Sequence, residues 1–307
     1  MSRLIQARRA RIATHIPLLL CLGTPAFAQT AVGTYEDVSF ESPEGWAMAY
    51  MTASSLNLGQ TPPRPTSFGQ VSFAAELGSI PSLNEDQQKV GFGGFKDEDL
   101  NKSPVFGRAR GSLGLIWDWT AELSWTPPLE IDGAKPDGLW GFALSRPLID
   151  MGGWGLGLRV FAQEGEVRAP VTCSAEVAAQ PPATEGNPFN CIAESSDRLV
   201  MDHYGAELTV SLFELPLGLQ PWMSLALTRM DPMVQLEAPL VGSLNNSIIN
   251  SKGSTETISA GLSYQLSQSW KINLATSYTP LEVDRLPSNP GGQDNYWNLR
   301  LGLVWDI

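Results

Sequence analysis

Apolar and polar residues alternate along most of the chain. The closing segment Tyr296–Ile307 sets the pattern. Trp297, Leu299, Leu301, Leu303, Trp305 and Ile307 take every second position, with Asn298, Arg300, Gly302, Val304 and Asp306 between them. A period of two predicts a β-strand with one apolar face. The pattern recurs through the segments FGQVSFAAELGS, VFGRARGSL, WTAELSW, LWGFALSRP, WGLGLRVFAQ, YGAELTVSL, WMSLALTRM, TISAGLSYQL and WKINLATSY. In the first of these, Val71, Phe73, Ala75 and Leu77 oppose Ser72, Ala74, Glu76 and Gly78. These segments and the closing one predict ten strands of about 9–12 residues, the length of a tilted transmembrane strand. An eleventh candidate is GWAMAYMTAS, from Gly45, with Trp46, Met48 and Tyr50 in phase. Helical patterning is nearly absent.

The connections sort by length. Residues 115–118, 149–153, 213–221 and 267–269 are short turns; Pro81–Pro104, Thr126–Gly138, Glu164–Asp202, roughly Asp231–Glu256 and Thr279–Asn295 are long and polar. A membrane barrel has short periplasmic turns and long extracellular loops, whereas a soluble sandwich has no reason to sort loops this way. The tryptophans agree. Trp119 and Trp125 bracket one strand and Trp297 and Trp305 another, while Trp140, Trp154 and Trp270 lie near strand ends, where interfacial girdles form.

The N-terminus reads as a leader. Arg3, Arg8, Arg9 and Arg11 precede a short apolar run, Ile16–Leu22, and the triplet Ala26-Phe27-Ala28. That is a secretory signal over residues 1–28. A lipoprotein reading of Cys21 fits poorly, because Leu20 stands where a small residue is wanted. No apolar run long enough for a membrane helix follows. The whole chain carries a charge of −12, and without its leader −16, which argues against a nucleic-acid partner. Cys173 and Cys191 remain, and an exported chain makes a disulfide between them the default. Zinc would need more ligands than these two and His203. No cofactor or metal is expected.

The sequence thus predicts an all-β, antiparallel up-and-down transmembrane β-barrel over residues 67–307. Ten strands are preferred; twelve is the alternative if Gly45–Ser54 and VGTYEDVSFES also span. Residues 29–66 would then be periplasmic, luminal or an extra strand. Across the whole chain after the leader, these residues resemble bacterial outer-membrane β-barrel proteins. The resemblance implies residence in the outer membrane, contact with its lipid, and handling by the barrel assembly machinery. That machinery reads the last strand, which usually closes on Phe; here Ile307 is last and Trp305 stands two before it.

The face opposite the apolar one carries Glu76, Arg108, Arg110, Glu122, Arg159, Glu207, Lys271 and Arg300. In a narrow barrel such charges must pair or stay wet. They form either an internal salt-bridge network, preferred because both signs occur, or an anion-selective lining. A lipid-modifying enzyme would need a base beside a nucleophile. MDHYGAE offers Asp202, His203 and Glu207, with Ser211 deeper, and reads better as a rim histidine with no catalytic set. KDEDLNK (Lys96–Lys102) lacks calcium-loop spacing, and VGFGGF (Val90–Phe95) lacks the strand–helix context of a phosphate loop. The preferred role is structural or surface interaction through long acidic loops. A narrow channel or transporter for small solutes, and more distantly the enzyme, are the alternatives. The solute or extracellular partner stays unnamed.

Overall fold

The computed structural model describes residues 30–213, 215, 218–285 and 289–307. The expected signal over residues 1–28 lies outside them, as does part of the turn at 213–221.

Ten antiparallel strands close into a barrel. They are β1 (Val71–Ser79), β2 (Val105–Gly114), β3 (Thr120–Trp125), β4 (Lys135–Asp150), β5 (Trp154–Ala169), β6 (His203–Leu212), β7 (Leu219–Met230), β8 (Gly253–Gln265), β9 (Trp270–Thr279) and β10 (Tyr296–Asp306). Each pairs with the next, and β10 pairs with β1 from Arg300↔Gly78 to Asp306↔Ser72, closing the ring. Closure leaves the barrel no free edge strand, although the β2–β3 ladder stops short of Val105–Arg108. Leu299, Leu301, Leu303, Phe73, Leu77, Leu208, Val210, Leu225 and Leu274 point outward and are exposed, while the alternate positions point in and are buried. This inversion of a soluble fold is what a barrel facing hydrocarbon requires.

Aromatic rings gather at both ends of the apolar band. Trp270 stacks on Trp305 at 5.9 Å near the short turns. Trp119 and Trp154 lie at that same end, and Arg146 sits over the Trp119 ring. At the long-loop end Trp125 stacks on Trp140 at 6.0 Å and Trp297 meets Tyr278 at 4.7 Å.

Two expectations need correction. Gly45–Ser54 is not a strand. It lies within the helix α1 (Pro43–Ser54). Ser42 caps it, its Oγ accepting from Gly45 N–H at 3.1 Å, and Pro43 opens its first turn. Ala47, Ala49 and Ala53 favour helix and let it pack closely. The segment is apolar all round because the helix is buried on nearly every side: Trp46 and Ala49 are fully covered. Strand phase in Trp46, Met48 and Tyr50 was therefore a coincidence of a uniformly apolar run.

The loops Thr126–Gly138 and Glu164–Asp202 are also shorter than the pattern implied. β4 and β5 each run 16 residues, and their hairpin continues above Trp140, pairing Lys135–Asp137 with Glu166–Arg168. Polar side chains there hid the strand period. Beyond it the sheet grows sideways through Asp197–Val200, Met233–Gln235, Ile248–Asn250 and Tyr35–Asp37. This extension and the loops form a cap. Cys173 and Cys191 are bridged inside it, Cα–Cα 5.8 Å, and both are buried.

Candidate functional site

The described chain starts in the cap. Thr30–Val32 runs parallel to Ser243–Asn245, and Tyr35–Asp37 parallel to Ile248–Asn250. α1 then enters the barrel mouth. Trp46 Nε1 donates to the Asp294 carbonyl at 3.0 Å, and Tyr50 packs edge-on against Tyr296 of β10 at 5.0 Å. From Ser55 the chain runs through the lumen without regular structure, with a tight turn in which Leu58 N–H donates to the Leu56 carbonyl. It leaves at the other end, where Gly69 N–H donates to the Gly114 carbonyl beside the β2–β3 turn. Residues 43–66 thus form a plug that threads the barrel from the long-loop end to the short-turn end.

Glycines in the wall make room for it. A Cβ at Gly141 would stand 2.4 Å from Ser124 Oγ and 2.7 Å from Asn57 Nδ2. One at Gly302 would stand 2.2 Å from Gln60 Oε1.

The structure brings seven of the eight luminal charges together around this segment. Glu76 Oε2 takes Arg110 Nη2 at 2.6 Å and Oε1 takes Arg300 Nη1 at 3.2 Å, with Arg108 at 3.9 Å. Glu122 Oε1 bridges Arg110 and Arg159, each at 2.7 Å. Glu207 lies 3.8 Å from Arg159 and accepts from Gly59 N–H at 2.8 Å. Lys271 stands apart: it pairs with Asp306 at 2.7 Å near the short-turn mouth.

Four guanidiniums therefore face three carboxylates, and the plug supplies the remaining acceptors. Four consecutive carbonyls each receive an arginine. Ser55 O accepts from Arg108, Leu56 O from Arg300 at 2.9 Å, Asn57 O from Arg159, and Leu58 O from Arg110 at 3.0 Å. The same cations lie just past the C-terminus of α1, where the helix dipole favours positive charge. Asn57, fully buried, is the hub: its Oδ1 also accepts from Arg108 at 3.3 Å and Arg110 at 3.2 Å. Buried polar groups are costly unless satisfied, and here plug and wall satisfy most of each other's, with Gln60 Oε1 and Nε2, Glu207 Oε1 and Arg300 Nη2 left without a partner among the described residues.

Sequence reasoning missed Ser55, Asn57, Gln163 and Asn298 as members of this network. Gln163 links Arg108 at 2.7 Å to Ser55 Oγ at 3.0 Å, and Asn298 accepts from Arg300 at 2.9 Å. The signal was present in SSLNLGQ, polar groups set between leucines with no strand partner.

His203 is buried at the loop end of β6. Its Nε2 accepts from Asn57 N–H at 3.2 Å and its Nδ1 donates to the Met201 carbonyl at 3.0 Å. Both ring nitrogens bond backbone groups, so His203 ties the plug to the loop end of β6.

In the cap, Lys96 is held by Glu98 at 2.6 Å and the Thr172 carbonyl at 2.7 Å. Burial, reinforced by Asp197 and Asp97, outweighs the pull of Lys96 and lifts the Glu98 carboxyl to about 7. Its folded value exceeds its unfolded one, so its contribution to cap stability is complete below about pH 4.5 and is lost as pH rises through about 7. Hydrogen exchange of residues 81–104, corrected for intrinsic rate, should be slower at pH 5 than at pH 8. Glu98→Gln should erase most of that difference; an unchanged difference would place the titration elsewhere.

The closed barrel, its apolar outer band with aromatic girdles, and its sorted connections define an integral outer-membrane β-barrel protein, here one whose lumen holds its own N-terminal segment. No family model matches the chain, and no curated protein matches it. Solved structures similar to it are bacterial outer-membrane barrels. An outer-membrane channel from Pseudomonas putida F1 aligns at 10% identity with a TM-score of 0.40, over 82% of this chain and 100% of that one. The outer-membrane protease OmpT of Escherichia coli aligns at 12% and 0.40, over 78% and 94%. The attachment invasion locus protein Ail of Yersinia pestis aligns at 10% and 0.31, over 78% and 100%. None of these likenesses reaches individual site residues.

Proposed function

We propose that this protein is a closed, non-conducting surface barrel: residues 43–66 seal the lumen, and the molecule acts through its extracellular cap. The observation that carries this reading is the run of four plug carbonyls held by four wall arginines. Cations bound in this way are unavailable to passing anions, which favours the salt-bridge network over a selectivity lining. A stiff, disulfide-closed cap on a sealed barrel suits presentation of a binding surface to the cell exterior.

One feature favours a second reading, a channel opened by movement of the plug. Ser224, Ser259, Ser263 and Asn273, on β7 to β9, face the lumen with side-chain atoms that have no hydrogen-bond partner among the described residues. The plug is thus held mainly by the opposite wall. Planar-bilayer recording of the full chain separates the two. The sealed reading expects no stable openings; steady single-channel steps would replace it with the channel.

A further inference from the structure

The barrel wall is interrupted on one side. The β2–β3 ladder runs only from Gly114↔Thr120 to Ala109↔Trp125. Beyond Trp125 the chain continues as Thr126-Pro127-Pro128; Thr126 N–H extends the β3–β4 pairing to Leu139, and Pro127, Leu129 and Ile131 border the cavity behind the gap. Proline cannot donate to a ladder, so the pairing stops there. Val105–Arg108 of β2 consequently pair with β1 on one side and, among the described residues, with no strand on the other.

This interruption begins at the long-loop edge of the apolar band, just beyond the girdle residue Trp125. On its β1 side Gly107 pairs with Leu77, which pairs in turn with Leu301 of β10. Leu77 and Val105 are both exposed on the outer surface.

Behind it lies a cavity of about 450 Å³ whose lining includes Leu77, Val105 and Gly107 at the gap. Inside, it is bounded by Met48 and Met51 of α1, Phe106 and Leu139 of the wall, and Leu100 and Met201 of the cap. A space this size is far beyond packing slack and within the range of ligand pockets. The lining is mostly apolar, with Lys96, Glu98 and Asp197 on its cap side, so water finds few partners along the α1 side. Its methionines can repack around a flexible occupant.

We infer that the gap between β2 and β3 is a lateral doorway through which a linear apolar chain passes from the outer leaflet into this chamber beside α1. The ligand class is an acyl chain, either of a membrane lipid or of a free fatty acid dissolved in the bilayer. The inference rests on the sealed-lumen reading, since the plug forms the chamber's inner wall.

The test uses the full chain in phosphatidylcholine nanodiscs with two photo-crosslinking probes, diazirine-tagged palmitic acid and diazirine-tagged phosphatidylcholine, and maps labelled peptides by mass spectrometry. The expected result is labelling within Pro43–Ser54 by at least one probe, and the productive arm identifies the source. Met51→Trp fills the chamber and should cut that labelling by about tenfold or more, as for loss of a site. Gly107→Phe covers the doorway from outside and should do the same. Gly107→Ala should not, because a Cβ there meets Leu77 only at 3.5 Å. Heat-modifiable migration on unboiled gels verifies that each variant is folded.

Labelling confined to outward residues such as Leu299 and Leu301 overturns the proposal. So does labelling of α1 that Gly107→Phe leaves unchanged. Single-channel recording on the same preparation keeps the two readings apart: channel steps together with chamber labelling would overturn the seal alone, and silent recordings without labelling would overturn the chamber alone.

Discussion

Replacing Glu76 with Ala is expected to cost this barrel about 3–5 kcal/mol, the loss typical of removing one partner from a buried ion pair. Glu76 is fully buried and is shared by Arg110, Arg300 and, more distantly, Arg108. Its loss leaves four luminal guanidiniums facing two carboxylates. The plug carbonyls are already engaged and cannot supply the missing charge. Glu76→Gln keeps an acceptor oxygen and should lose clearly less. Urea unfolding in liposomes, followed by gel migration, measures both. Equal stability of wild type and Glu76→Ala would mean that the cluster is wet and well screened rather than sealed.

The second large effect is at Asn57. Asn57→Leu keeps the volume but removes the Oδ1 that accepts from Arg108 and Arg110. Hydrogen bonds to charged donors contribute about 1.5–3 kcal/mol each. These are long, so a total near 2–3 kcal/mol is expected, read by the same unfolding assay. Asn57→Asp has the opposite character. It adds a carboxylate where arginines exceed carboxylates by one, but gives up the long Nδ2 bonds to the Phe142 and Ala162 carbonyls, and should cost less than Asn57→Leu. If Asp proved more damaging than Leu, the excess positive charge assigned to the lumen would be wrong.

The strands were legible because one face meets hydrocarbon and the other a packed interior, and a period of two records both. Arg300, Glu207 and Arg159 could be placed in the lumen from phase alone. Their partners could not, since pairing across the barrel depends on register between β1, β2 and β10, which no single strand encodes. The plug was illegible for a different reason. A helix buried on nearly all faces loses its amphipathic period, so Trp46, Met48 and Tyr50 matched a strand equally well. The local signals that decide it are Ser42, Pro43 and the alanines. The cap, with its three- and four-residue strands, is too short in each element for periodicity to register.

The central claim is that the N-terminal segment enters the lumen from outside and leaves on the periplasmic side. Tyr35, in the cap, and Phe68, beside the periplasmic turn, are both exposed and mark the two ends. Tyr35→Cys and Phe68→Cys, expressed separately in Gram-negative cells, can be treated with a membrane-impermeant maleimide before and after the outer membrane is permeabilised. The account predicts that position 35 labels on intact cells and position 68 only after permeabilisation. Labelling of position 35 only after permeabilisation would place the segment on the periplasmic side and contradict the plug.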